Sequence, residues 1–310
     1  MAIARKWVRR GAPVAFVLRI VKVSRSTYYW RRQHPDGPRI GRNGGRPTPG
    51  SSKTTTGQEV TDEGVKALLQ SAIEGDGYCY GYRKLTHWLR REHKLIINEK
   101  KVYRLCREMG ILRPQRKRTA PRYPRRAAAN RVVTGVNQLW ETDIKYGYVA
   151  GEKRFFFVQA ILDVYDRMVV DYHIGLSCTG AEAARALQGA LAKRQFRPGE
   201  SPMVVRTDNG PQFVSTDFNN ACAEFEIEHE YIPTKTPNKI AHIESFHSLL
   251  QEECLNRYEF ETFTDAYLAV VDYIDYYNHR RIHGSLGYRT PSEYHEACER
   301  KTARTSPIKL

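Results

Sequence analysis

The apolar positions of the chain change period along its length. Between residues 61 and 74, Val65, Leu68, Leu69 and Ile73 recur at helical spacing and predict one apolar helix face. A second helix is predicted from about Tyr82 to Glu92, with Leu85, Trp88 and Leu89 inward. Asn98 is placed to cap a third, with Val102, Leu105 and Cys106 inward and Gly110 at its C′ position. From Leu139 the texture becomes strand-like. Runs rich in Val, Ile, Tyr and Phe at about 139–149, 154–163 and 167–174, with turn signals at Gly151 and Asp166-Arg167, predict three hairpin-connected strands. A helix at about 181–193, a short strand at Met203-Val204-Val205, a helix at about 215–224, a strand at 228–232 and a long helix from about 238 follow. Such an order predicts a mixed α/β sheet covered by helices. One more helix after Phe263 carries Tyr267, Val270, Val271, Ile274 and Tyr277.

Upstream, residues 1–33 read as a short helical unit, with Ser24 as a cap before Arg25. Residues 34–58 are rich in Gly, Pro, Ser, Thr and Arg and read as a flexible linker. No run of 18 apolar residues occurs, so a membrane span is not expected. Arg19 interrupts the apolar stretch from Ala12 to Val21, which argues against a secretory signal. The six cysteines are scattered without a C-x-x-C pair, which fits a reducing cytoplasm better than a disulfide framework or a zinc ribbon.

Charge changes the picture more. The net charge is +16 and it is segregated. Residues 1–50 carry twelve Lys or Arg against one acid, Asp36, and residues 111–131 carry eight basic residues and no acid. Residues 140–262 are net −7. A basic N-terminal half joined to a mildly acidic core points to nucleic acid, and to a nucleoid-associated cytoplasmic protein, more than to a basic surface without a partner. The three helices of 61–110, with Arg83, Lys84, Arg90, Arg91, Lys100, Lys101 and Arg104 outward, suit a helix-turn-helix DNA module as well as a small bundle with solvated charges. Arg83, Lys84, Arg280 and Arg281 are candidate DNA contacts.

Three carboxylates stand out by placement. Asp143 lies inside the first predicted strand, Asp208 ends a short buried strand before Asn-Gly, and Glu244 lies on the helix after Pro237, with Ile240 and Ile243 on its inner side. Active sites of open α/β sheets collect at the carboxyl ends of strands. Hard divalent cations prefer carboxylate oxygens, and two of them can assist in-line phosphoryl transfer without His or Cys ligands. Taken singly, each residue also reads as a turn, a strand edge or an exposed helix position. Asp163, Asp166 and Asp171 read as turn or surface residues. His247, one turn past Glu244, is placed either to orient it, to contact phosphate, or simply on the helix surface. His279 and His283 are four apart but lack a third zinc ligand. Cys79, His87, His93 and Cys106 have the wrong order for a zinc module.

Trp140-Glu141-Thr142-Asp143, Arg206-Thr207-Asp208-Asn209-Gly210-Pro211-Gln212-Phe213 and Ala241-His242-Ile243-Glu244-Ser245-Phe246-His247, with 35 residues between Asp208 and Glu244, together resemble the catalytic core of retroviral-integrase-type enzymes. The segment from Tyr277 to Pro291 resembles the tail of bacterial insertion-sequence transposases. Gly81-Tyr82-Arg83-Lys84-Leu85 resembles the start of their upstream helix-turn-helix. The resemblance covers about residues 20–297. It implies a ribonuclease-H-like mixed sheet flanked by helices, preceded by an all-helical helix-turn-helix region. It also implies that Asp143, Asp208 and Glu244 bind Mg²⁺ or Mn²⁺, in a two-metal site, for DNA cleavage and strand transfer. Element ends and target DNA are the implied partners, and two ends favour a homo-oligomer. The type is that of a second open reading frame, made as a fusion with, or beside, an upstream-frame product. Lys239-Ile240-Ala241 departs from the Asn-Ala pair that many relatives carry before the glutamate.

The expected division is then a DNA-binding helical unit at 1–33, a linker at 34–58, a helix-turn-helix domain at 59–112, a basic connector at 113–132, an integrase-like core at 133–262 and a helical basic segment at 263–310. Two rival functions stay open on sequence: a DNA-binding regulator of transposition without catalysis, and a nuclease that cuts DNA but does not join it.

Overall fold

The computed structural model describes residues 1–34, 49–114, 131–199, 202–232, 240–302 and 307–309. Its residues form two units, 1–50 and 51–310. The first holds helices α1 (Ala2–Arg9), α2 (Val14–Ile20) and α3 (Arg25–Gln33), closed on buried Ala4, Val17, Leu18 and Tyr28. Ser24 caps α3, its hydroxyl accepting from the Thr27 amide.

The second unit opens with β1 (Ser51–Thr54) and β2 (Glu59–Thr61), inside and just after the stretch read as linker. They are strands because β1 finds a second, distant partner in β3 (Leu95–Ile96), a pairing that local composition does not reveal. Residues 35–48 of that linker, and 115–130 of the basic connector, lie outside the described residues. Helices α4 (Asp62–Glu74), α5 (Tyr82–Glu92) and α6 (Glu99–Glu108) follow the predicted periodicity. Leu69, Leu85, Leu89 and Leu105 are buried among them, each contributing about 2 kcal/mol of apolar burial. The Asn98 side chain accepts from the Lys100 amide, and Gly110 takes the left-handed φ of +70° that ends α6.

The core comprises β4 (Val132–Val133), β5 (Leu139–Val149), β6 (Arg154–Asp163), β7 (Val169–Gly175), α7 (Gly180–Lys193), β8 (Val204–Thr207), α8 (Thr216–Glu224), β9 (Glu228–Tyr231), α9 (Ala241–Glu253), α10 (Phe263–Asp275), a π-helical turn at Tyr276–Arg280, α11 (Pro291–Glu299) and β10 (Ile308–Lys309). Five of the strands form one sheet in the order β7-β6-β5-β8-β9. The first three run antiparallel, while β8 is parallel to both β5 and β9. This is the ribonuclease-H-like mixed sheet. One face packs Trp140 and Ile161 beneath the Ala- and Leu-rich side of α7 and the inner side of α8. The other packs Phe156, Val158, Ala160 and Leu162 beneath α9 and α10, in an apolar cluster continuous with the inner residues of α4, α5 and α6. The tail read as a separate segment thus puts α10 into the same core as the sheet. At Gly147 the hairpin has no room for a side chain: a Cβ there would lie 2.1 Å from the buried Phe156 ring.

Candidate active site

β8 pairs with β5 only over Leu139–Glu141, so among the described residues that edge of β5 is unpaired beyond Glu141. A cleft of about 770 Å³ opens there, bordered by Asp143, Lys145, Tyr146, Glu244 and His247. Asp143 is half-buried on β5. Asp208 stands one residue past the end of β8, and Glu244 in the first turn of α9. Residues 65 and 101 positions apart from Asp143 are thereby brought within electrostatic reach of it. Burial and then the Asp143 charge raise the pKa of Glu244. Burial raises Asp208 and Asp143 raises it further, against a lowering hydrogen bond from the Gly210 amide to Asp208 Oδ1 at 2.9 Å. Among the described residues neither Asp208 nor Glu244 has a cationic partner, and no three such side chains converge into a closed coordination cage. Carboxylates without a countercharge between them repel, which is why the Asp143 charge raises both of the others.

Two neighbours complete the arrangement. His247, nearly buried, places Nδ1 3.5 Å from Asp143 Oδ2. It therefore faces Asp143, and the helix-surface alternative is set aside. Glu141 was not singled out by sequence, yet it is fully buried. Its Oε2 accepts from the amides of His242 (3.0 Å) and Ile243 (2.9 Å) at the start of α9. Burial pushes its pKa up to about 7. A buried Glu one strand step from Asp143, capping the helix that carries Glu244, ties two of the three carboxylates to each other. Its signal was visible: an acid inside an otherwise apolar strand start needs buried donors.

The other predicted residues scatter. Arg83 is exposed, with its guanidinium beside Tyr82 and 3.9 Å from Glu99. Lys84 is mostly buried, 5.0 Å above the Tyr80 ring, and burial lowers its pKa to about 8. Arg280 is engaged by Asp76 and Asp272 at 2.9 and 3.0 Å. Arg281 requires a correction. It is buried and bidentate to Glu253, both bonds 2.7 Å, so it holds the tail to the end of α9 and does not face a phosphate. Asp163 and Asp166 are likewise not surface residues. Asp163 accepts from the Asn137 and Tyr165 amides and Trp140 Nε1, and Asp166 from Arg194 and His295. Both bind turns from inside, where amide and guanidinium donors replace water. Asp171, partly buried, pairs with Lys193. His279 is exposed and His283 buried, on different sides of the turn, so they form no zinc face. Arg206 of the second motif is buried against Glu230, stitching β8 to β9.

A mixed five-stranded sheet with acids at its open central edge, beside a helical module, defines a polynucleotidyl-transferase type of core. Residues 133–237 and 225–291 match models of the integrase core domain, and residues 60–119 match that of an HTH-like domain. The chain is 31% identical over 225 residues to an insertion element IS407 protein of 31.7 kDa from Burkholderia multivorans, covering 72% of this chain and 78% of that protein. It is 32% identical over 216 residues to an IS476 protein of 39.2 kDa from Xanthomonas euvesicatoria, covering 69% of this chain but only 60% of that longer protein. It is 26% identical to the putative transposase InsK of IS150 from Escherichia coli, over 93% of this chain and 95% of that one. The chain belongs to the insertion-sequence transposase family with an integrase core. Among the described residues no helix is long and apolar enough to cross a membrane.

Proposed function

We propose that this chain cleaves the DNA ends of a mobile insertion sequence and joins them to target DNA, using Asp143, Asp208 and Glu244 with Mg²⁺ or Mn²⁺. The observation that carries this reading is that Asp143 and Glu244 border one open cleft while Asp208, just past the end of β8, lies close enough to feel the same charge: burial and then Asp143 raise both Asp208 and Glu244. A pair of divalent ions there supplies nucleophile activation and stabilises the leaving oxygen of an in-line displacement. Asp143, on the central strand of the sheet, would hold the ions together with Asp208 and Glu244. His247 orients Asp143, and Glu141 fixes the start of α9, so that Glu244 is presented without a search among helix orientations. The helix-turn-helix module, with Arg83 at its surface, positions the duplex, and Lys84 lends its charge from the interior. Two ends to be joined make a homo-oligomer on DNA the working form, with an upstream-frame product as fusion or partner, in the bacterial cytoplasm at the nucleoid.

The test is strand cleavage and joining on labelled DNA from the gene's own flanks, with Mg²⁺, Mn²⁺ or EDTA, alone and fused to any upstream frame. Metal-dependent joining abolished by Asp143→Asn, Asp208→Asn and Glu244→Gln is expected. DNA binding without cleavage in every form would leave the regulator, and cleavage without joining the nuclease.

A further inference from the structure

The hairpin of β5 and β6 runs past the helices that cover the sheet, and it carries aromatic rings in water. Tyr146 is 58% exposed, Tyr148 48% and Phe155 61%. In the antiparallel register Tyr146 faces Phe157, and Tyr148 faces Phe155. The rings meet at 5.1 Å between centroids in both pairs, at interplanar angles of 60° and 58°. Inclined pairs of this kind leave a flat face of each outer ring free. Alternation puts all four side chains on one side of the hairpin. The patch is continuous with the candidate active site, because Tyr146 also borders the cleft that holds Asp143 and Glu244. Lys145, inside that cleft, and Lys153, at the hairpin turn, flank it, and neither has an acidic partner among the described residues.

We propose that this aromatic hairpin binds unpaired nucleobases of the DNA strand that leaves the active-site cleft, stacking them on Tyr146–Phe157 and Tyr148–Phe155. The proposal rests on the strand-transfer reading of the cleft. Three observations favour bases over a second copy of the chain. Aromatic rings flanked by lysines are the recurring equipment for single-stranded nucleic acid, where aromatic faces take bases and ammonium groups take phosphates. The tyrosine hydroxyls keep the patch wettable. The three exposed rings, with the partly covered Phe157, offer about 400 Å², half of what one partner contributes to a stable protein interface. Successive ring pairs are about 7 Å apart along the strand, a spacing that suits neighbouring nucleotides that have come out of the helical stack.

The experiment uses the full chain without divalent metal, so that binding is read apart from chemistry. Fluorescence anisotropy compares a labelled flank duplex that is blunt with the same duplex carrying a short single-stranded thymidine tail. The wild-type chain is expected to prefer the tailed duplex by about tenfold for each stacked base. Tyr148→Ala/Phe155→Ala should lose that preference while binding the blunt duplex as before, and Tyr148→Trp should keep it. These positions are exposed and outside the cleft, and an unchanged melting midpoint checks folding. Equal affinity of the wild type for both duplexes overturns the proposal, and so does a preference that survives the double change. If the double change instead turns a dimer into a monomer with the preference intact, the face is an interface between copies. Absence of cleavage when metal is restored would strike the transferase reading and not this one.

Discussion

Arg281 offers the sharpest separation between a DNA contact and a structural tie. Replacing it with Met leaves Glu253 buried, at 5% exposure, with the Tyr273 hydroxyl at 3.2 Å and the more distant charge of Lys84 as its partners among the described residues. Removing one member of a buried, doubly hydrogen-bonded pair costs about 3–5 kcal/mol. In a domain of this size that lowers the melting midpoint by about 10 °C. The pH dependence gives an independent check. Burial alone would raise Glu253, but the hydrogen bonds and charge of Arg281 outweigh it and hold the carboxyl below its ordinary value of 4.5. A group depressed in the folded state stabilises above its unfolded pKa and loses that stabilisation as pH falls through the folded one. The gap between wild type and Arg281→Met should therefore be widest near neutrality and narrow as pH falls toward the depressed pKa of folded Glu253. Urea denaturation from pH 7 to pH 4, with DNA affinity at graded salt, reads both effects. A phosphate contact would reduce the log–log salt slope by about 0.9. A variant with normal stability and a reduced slope would refute the buried tie and restore the direct DNA role.

Arg83→Ala, by contrast, should reduce the salt slope by about 0.9 and leave urea denaturation unchanged; an unaltered slope would remove Arg83 from the interface. Gly147→Ala should destabilise by about 1–3 kcal/mol, because the new Cβ must displace the buried Phe156 ring 2.1 Å away; a thermal midpoint equal to wild type would show that the hairpin yields freely. Millimolar Mg²⁺ should raise the melting midpoint of the wild type by mass action and fail to do so in Asp143→Asn; equal shifts in both would place the ion elsewhere. Glu141→Gln keeps an oxygen for the α9 amides and removes a charge whose pKa burial has raised to about 7. A raised carboxyl favours the fold below its unfolded pKa and loses that contribution as pH climbs through 7, so the variant should gain on the wild type between pH 5 and pH 8 in metal-free denaturation. A difference independent of pH would mean that Glu141 is already charged in the native state over that range and that burial does not raise its pKa.

Much of the fold was legible because its periods are strong. The strands at 139–149 and 154–163 and the three helices of the N-terminal module lie where alternation and helical spacing put them, since each buries one face. Motif and spacing single out the three carboxylates, whereas the placement of Asp208 beside β5 depends on β8 pairing with β5 for only three residues, a tertiary fact. What escaped the sequence has one cause. The strand at Ser51–Thr54, the burial of Asp163 and Asp166, and the inward turn of Arg281 all depend on partners between 23 and 129 residues away along the chain. A Ser/Thr-rich stretch looks like a linker, an Asp-x-x-Asp turn looks solvated and an Arg-Arg pair looks like a phosphate clamp until the distant donor or acceptor is known.

The same dependence explains how a site that repels itself stays assembled. Burial and then the Asp143 charge raise the pKa values of Asp208 and Glu244, so without cations these charges disfavour the fold that gathers them. Each is offset by a donor from its own element or the next. The Gly210 amide holds Asp208 in a tight turn, where a side chain on residue 210 would strike Asp208 Oδ1 at 2.9 Å. His247 stands against Asp143. Glu244 occupies the first turn of α9, where the helix dipole favours an anion. Glu141 adds a fourth acid, which makes electrostatic sense only as a cap: its Oε2 takes two of the amides that α9 would otherwise leave unpaired in the interior. That arrangement makes the position of Glu244 a property of β5 as much as of α9, because the strand that bears Asp143 also anchors the helix that bears its partner. A helix fixed in this way needs little reorganisation when cations arrive, which is the condition under which binding free energy goes into the reaction and not into ordering the site.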